Sequence, residues 1–266
     1  MAEINPYRPP SSHVEDVSPP AADGRQFIAG GRRVPASHGW TWIKDAWGLF
    51  KRQPGAWILI VLLAGVIFIA VSLVPLVNWI VPYMLVPGMS AGVILGCKAL
   101  SDGNALTVSH LFAGFQARGG ALLLVGLAAF VLYLIAAIPL IIVMGTRFIA
   151  LLAGDPSAFG DFGLDIIIAL LLAVGISVPV YMSLWFAPAL VVLHDVAPLA
   201  ALQQSFGACL KNIVPFLLYG IIFLPLGIVA VIPLGLGMLV LMPVFFATAY
   251  TSYRDIFFDG TSHPGN

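Results

Sequence analysis

The chain opens polar, turns apolar near residue 54, and stays so with brief interruptions to residue 253. Four windows contain no Asp, Glu, Lys or Arg: 53–97 (45 residues), 119–146 (28), 166–194 (29) and 212–253 (42). A hydrocarbon core of about 30 Å is crossed by roughly 20 apolar residues in a helix. The outer windows therefore each hold two helices and a turn, and the inner ones hold one each. The pattern predicts six spans, at 56–76, 79–99, 121–144, 165–190, 214–232 and 234–254. Pro75 with Asn78, and Pro233 with Gly235 and Gly237, mark the turns inside the double windows. Barrel strands alternate apolar and polar over about ten residues, whereas 121–144 shows no such alternation.

A shorter amphipathic helix precedes each pair of spans, a weak threefold repeat. Its stripe is Trp40, Ile43, Trp47 and Phe50 in the first copy, and Val108, Leu111, Phe112 and Phe115 in the second, with Thr107 as N-cap. In the third it is Leu199, Leu202, Phe206 and Cys209, with Pro198 in the first turn. Each copy ends on cations, Lys51 with Arg52, then Arg118, then Lys211, which suit a helix C-terminus and lipid headgroups. The expected interfacial anchors are Trp40, Trp47, Phe50, Lys51, Arg52, Phe112, Phe115, Arg118, Phe206 and Lys211. The stripes can lie in the headgroup region or pack on the bundle, and both readings stay open.

The fold class expected is all-α: a polytopic membrane helix bundle of six transmembrane helices plus three short cytoplasmic amphipathic helices. With alternating spans, eleven of the 12 basic residues fall on one side and Arg147 alone on the other. The basic side is cytoplasmic, so both termini are expected there, in a bacterial inner membrane, with the first span as an uncleaved anchor. Residues 1–38 are rich in proline and polar residues and read as a disordered tail in which Pro6 and Pro9 have the spacing of a partner motif. Residues 39–258 form the membrane domain, and 259–266 form a short polar tail.

Composition agrees. Hydrophobic residues make up 60% and charged ones 9%, too few to cover a soluble protein of 266 residues. A net charge of zero gives no basic footprint for nucleic acid. Cys97 and Cys209 read as buried structural thiols.

Candidate chemistry is sparse. Gly88, Gly92 and Gly96 recur every fourth residue, a helix-packing ridge that allows close backbone approach. The same stretch places Ser90 in a Gly-x-Ser-x-Gly pattern, but inside an apolar helix rather than on a strand-to-helix turn. His110 and His194 are the only nearby candidates for its base, and both are expected near the surface. His194–Asp195 lacks further ligands for a metal, and Asp195 reads as a cap of the third amphipathic helix. The span centres carry no ionisable residue, which weighs against a proton-coupled pump. Prolines at 82, 87, 139, 179, 188, 225 and 243 break the spans and raise the prospect of an internal cavity. Its candidate residues are Tyr133, Pro179, Tyr181 and Tyr219, with Asn78 a further polar group. No catalytic, cofactor-binding or metal-binding set is expected.

Several segments are together familiar: Asn5-Pro6-Tyr7, Gly31-Arg32-Arg33-Val34-Pro35, Gly39-Trp40-Thr41-Trp42-Ile43, Leu49-Phe50-Lys51-Arg52-Gln53-Pro54, Leu111-Phe112-Ala113-Gly114-Phe115, Phe186-Ala187-Pro188-Ala189-Leu190 and Tyr253-Arg254-Asp255-Ile256-Phe257. On these the chain resembles an uncharacterised proteobacterial family of six-helix integral membrane proteins. More distantly its layout is similar to the membrane domain beside some glycerophosphodiester phosphodiesterases. The resemblance implies an inner-membrane location and offers no catalytic residues. The leading expectation is a non-enzymatic protein that interacts with membrane lipids or supports envelope homeostasis. The alternatives are a passive channel or transporter for an uncharged or hydrophobic solute, and a scaffold that holds a protein partner through the N-terminal tail.

Overall fold

The computed structural model describes residues 26–155, 157 and 163–259. Among these are nine helices: α1 (His38–Arg52), α2 (Pro54–Ser72), α3 (Val77–Ser101), α4 (His110–Leu152), α5 (Leu164–Trp185), α6 (Ala187–His194), α7 (Pro198–Lys211), α8 (Ile213–Val231) and α9 (Met238–Phe257). No strand occurs among the described residues, only an isolated bridge between Phe27 and Phe258.

Five helical segments are long and apolar enough to cross a membrane: Pro54–Ser72, Val77–Ser101, His110–Leu152, Leu164–His194 and Ile213–Val231. Their outer faces carry large aliphatic side chains in the open, such as Ile69, Leu171, Ile221 and Leu224, each more than 60% exposed. Bare apolar belts of this extent belong in hydrocarbon. The sixth expected span corresponds to α9, which does not meet the same measure of length and composition. Its second half carries Thr248, Thr251, Ser252, Arg254 and Asp255, and buries most of that face in the protein.

Several boundaries differ from the sequence pattern. The span expected to end at 144 runs on through Gly145 to Leu152, because 146–152 holds no helix breaker and Gly154, at φ 93°, supplies the left-handed stop. Arg147 thus sits on a helix rather than in a loop, and grips Asp165 through Nε (3.0 Å) and Nη2 (2.7 Å). The second amphipathic segment is continuous with its span across a kink at Arg118, whose φ of −146° is not helical. Thr107 is not its cap: α4 starts after Ser109, and the Thr107 hydroxyl bonds Ser109 and His110. Nor does Asp195 cap α7, whose N-cap is Ala197; Asp195 pairs with Arg118 at 2.5 Å.

Burial concentrates at the end of the bundle where α1, the start of α4, α6 and α7 meet the C-terminal half of α9. Trp42, Trp57, Phe186, Tyr253 and Phe257 are almost fully enclosed there. All three amphipathic segments turn apolar positions into this core. α1 buries Trp42, Ile43, Ala46, Leu49 and Phe50; α4 buries Leu111 and Gly114; α7 buries Ala201, Leu202, Ala208 and Cys209.

Residues 26–37, which composition grouped with the tail, form a strap across this end. Ile28 N–H donates to the Phe257 carbonyl and Arg32 N–H to that of Ile256, each at 2.8 Å. Asn212 fastens its middle, accepting from Val34 N–H and donating to the Arg32 carbonyl at 2.9 Å each. Composition marked the segment as unable to bury apolar area, yet Val34 is buried and Phe27 packs against the core, and the backbone hydrogen bonds hold the rest. Residues 1–25 and 260–266, with the motif at Pro6 and Pro9, lie outside the described residues.

The glycine ridge of α3 faces α4. A Cβ on Gly92 would lie 2.1 Å from the His110 carbonyl oxygen, and one on Gly114 would lie 2.2 Å from that of Gly88. The two backbones touch because neither position carries a side chain.

Candidate functional site

Two recesses stand out. The first is a groove and cleft built around α1. On one side α1, the C-terminal half of α9 and Ser101 enclose a polar cleft of about 800 Å³, lined by Lys44, Asp45, Lys51, Arg52, Arg254 and Asp255 among others. On its other side α1 roofs an apolar groove of about 830 Å³ between α8 and α9, running over Ile222, Pro225 and Val229 to Gly237 and Val244. Lys44 and Trp47 line both, so cleft and groove meet along the outer face of α1.

The placement of α1 follows from its sequence. Gly39 lets its first turn press on α8, where a Cβ would lie 2.3 Å from the Pro215 carbonyl oxygen. Trp42 then points inward and donates from Nε1 to Asp255 Oδ2 at 2.7 Å. Asp255 also accepts from Arg32 at 2.9 Å and faces His38 Nδ1 at 2.7 Å. Its charge is thereby compensated, and the open cleft is lined by Lys44, Lys51 and Arg52 against Asp45. Burial pushes the Asp45 carboxyl above its ordinary value; the nearby Lys44 opposes this, Asp255 adds to it, and His38 opposes it.

The expected anchors distribute as follows. Trp40 and Trp47 are exposed on the outer face of α1, and Phe112 is exposed at the start of α4. Phe50 is buried, stacked on Trp47 with centroids 5.3 Å apart. Phe115 and Phe206 are half-buried, Phe115 with its ring against Gly88. Lys51 and Arg52 line the cleft, Arg52 also donating to the Leu100 carbonyl. Lys211 instead holds the strap, donating to the Gly30 and Gly31 carbonyls at 2.9 and 3.2 Å.

The second recess is a cavity of about 390 Å³ inside the bundle, bounded by α3, α4, α5, α6 and α9. Tyr133 lies 15 residues beyond Arg118 along α4, about 22 Å at 1.5 Å per residue, so the cavity sits deep among the spans. The helix breaks at Phe186, and Pro188, in the first turn of α6, contributes to the cavity wall. Of the residues expected in a cavity, Tyr133 and Tyr181 line it; Pro179 and Tyr219 do not. Tyr219 lies nearby, its ring 6.0 Å from that of Trp185 and its hydroxyl buried without a hydrogen-bond partner. Ser90 also lines the cavity. Neither histidine reaches it: His110 bonds Thr107, and His194 bonds Tyr253 and stacks on Phe27. Sequence reasoning missed Tyr83, Trp185, Phe245 and Phe246, which also line it. A partial signal was present, since Pro82, Val86, Ser90, Val93 and Ile94 follow helical spacing on one face of α3.

Among the described residues no group of three or more His, Cys, Asp or Glu gathers to hold a metal. Cys97 and Cys209 are free and buried, and burial pushes the Cys209 thiol up, away from thiolate reactivity.

Apolar belts on long helices around a packed end define an integral membrane protein. Comparison with known sequences agrees: the chain is 29% identical to a probable inner membrane protein of Burkholderia thailandensis, covering 87% of this chain and 94% of that protein. Nothing in that description connects to the glycerophosphodiester phosphodiesterases. No family model and no solved structure matches the chain.

Proposed function

We propose that this protein is a non-enzymatic, lipid-binding protein of the bacterial inner membrane that holds an anionic phospholipid against α1. The observation that carries the reading is the junction of cleft and groove at Lys44 and Trp47. An acyl chain fits the apolar groove between α8 and α9, and the phosphate meets Lys44 and Lys51 above it. Trp40 and Trp47, exposed on the same face, suit the headgroup layer. In this reading α9 completes a sixth crossing, and the α1 end with both termini is cytoplasmic, as the eleven-to-one distribution of basic residues favours. Membrane lipid is then the main partner, and any protein partner would be reached through the N-terminal tail.

The test is native mass spectrometry of the protein released from nanodiscs containing phosphatidylglycerol and phosphatidylethanolamine. The wild type is expected to retain phosphatidylglycerol selectively. A cation near the surface contributes about 1 kcal/mol toward an anionic lipid, so Lys44→Gln with Lys51→Gln should weaken retention roughly 30-fold. Equal retention of both lipids by wild type and variant would refute the proposal.

The position of Asp45 adds a pH dependence. Its raised carboxyl means that ionised Asp45 costs the folded state stability at neutral pH, a cost relieved as pH falls through its folded value. Acidification also removes the negative charge beside Lys44. Phosphatidylglycerol retention should therefore strengthen as pH falls through the raised value of the Asp45 carboxyl. Asp45→Asn should bind more tightly at neutral pH and respond less to acid, as the same mass spectra taken across pH would show.

A further inference from the structure

We infer that the cavity among α3, α4, α5, α6 and α9 is a second binding site, specific for an uncharged, largely apolar molecule that presents one oxygen acceptor to Tyr133 and Tyr181. The inference does not rest on the lipid site, which lies at α1.

The first support is the lining. It holds no Lys, Arg, His, Asp or Glu, so a charged ligand would enter uncompensated. The walls are mainly aliphatic and aromatic, and a volume near 390 Å³ is within the range of small-molecule pockets.

The second is a surplus of unused donors. The hydroxyls of Tyr83, Ser90, Tyr133 and Tyr181 make no hydrogen bond to any described residue. Trp185 differs, because its Nε1–H already donates to Ser252 Oγ at 3.2 Å. Inside a bilayer water is scarce, and a phenol hydroxyl normally finds a partner in the protein. Four hydroxyls on three helices all lacking one, around a single space, indicate that the partner comes from outside the chain. Tyr133 on α4 and Tyr181 on α5 line the same space, and the ligand oxygen is their shared acceptor.

The third is access. Tyr181 is 48% exposed and Val86 47% exposed, so the cavity reaches the outer surface of the bundle at the level of the apolar belt. A ligand dissolved in the bilayer can enter from the side without crossing water.

The experiment is photolabelling of the full chain in nanodiscs with two probes of equal length, a diazirine-bearing octanol and a diazirine-bearing octane, followed by peptide mapping. The octanol probe should label the cavity-lining segments of α3 and α5 saturably, in competition with unlabelled octanol. The octane probe should label the outer faces of the spans diffusely. Tyr133→Phe with Tyr181→Phe should cut octanol labelling roughly fivefold or more, the scale of two lost hydrogen bonds, and leave octane labelling unchanged. Ala129→Leu, which fills the space, should abolish the saturable component. Lys44→Gln with Lys51→Gln should leave octanol labelling intact, which separates this site from the lipid site. Equal labelling of the cavity by both probes, or octanol labelling insensitive to the phenylalanine pair, would overturn the inference; either result would mean that the hydroxyls do not select the occupant.

Discussion

Replacing Gly92 with alanine is expected to prevent α3 and α4 from closing. A Cβ at that position would sit 2.1 Å from the His110 carbonyl oxygen, 2.9 Å from that of Leu111, and 3.1 Å from the Leu111 carbonyl carbon. All three are backbone atoms. A side chain can swing aside, and overpacking then costs about 1–3 kcal/mol; a backbone can yield only by moving the whole helix. The cost at Gly92 should therefore reach the top of that range or exceed it. Gly88 and Gly96, on the same ridge, meet the Phe115 ring and a Leu106 methyl instead, at 2.2 and 2.5 Å. Those side chains can shift, so alanine at either site should be milder. Gly175 in α5 has nothing within 4 Å of its Cβ position. Gly175→Ala should be neutral or stabilising by about 0.5–1 kcal/mol, since glycine inside a helix is the worse helix former. Thermal unfolding in detergent, with size-exclusion profiles, measures the series. If Gly92→Ala and Gly175→Ala melt together, the two backbones are not in contact and the α3–α4 packing is wrong.

The spacing of those glycines was visible in the sequence, whereas the surface they meet was not. This division recurs throughout the chain. Charge-free windows placed α2, α3, α5 with α6, and α8 close to their observed bounds, because the bilayer requires a length of apolar helix and the sequence either holds it or does not. The end of α4 was misplaced because Arg147 looked like a loop residue, yet a cation whose carboxylate partner stands on the next helix can remain in a helix. The largest enclosed side chain of α1 is Trp42, one face away from the stripe of Trp40, Ile43, Trp47 and Phe50. Its burial depends on Asp255, 213 residues later, a pairing that no local period encodes. The cavity was legible only in part for the same reason. Tyr133 and Tyr181 drew notice as polar groups within apolar runs, but Phe245 and Phe246 look like any other span residues until α9 is packed against α3.

Asp255→Ala should cost roughly 3 kcal/mol and loosen the strap and α1 together. The side chain is 18% exposed and serves Arg32 at 2.9 Å, His38 at 2.7 Å and Trp42 at 2.7 Å. Trp42 is 1% exposed, so its indole N–H would be left buried without an acceptor, at about 1–3 kcal/mol. Arg32 and His38 are about one-third exposed, so water would replace part of what they lose, and their share is discounted accordingly. Asp255→Asn keeps an oxygen acceptor but removes the charge, and should cost about half as much. The geometry also gives a local signature. Arg32 and Arg33 lie in the strap, and without Asp255 the strap keeps the Arg32 N–H bond to the Ile256 carbonyl, the Asn212 bonds and the Lys211 contacts. Trypsin should therefore cut after Arg32 or Arg33 faster than in the wild type, yet more slowly than in Asp255→Ala combined with Asn212→Ala. Because α1 hangs on the same carboxylate through Trp42, retention of phosphatidylglycerol should fall in parallel, although neither Lys44 nor Lys51 has been touched. Unchanged proteolysis and lipid retention in Asp255→Ala would show that the remaining hydrogen bonds and apolar contacts hold strap and α1 without it. A loss of lipid retention without faster cleavage would show that Asp255 orders α1 but not the strap.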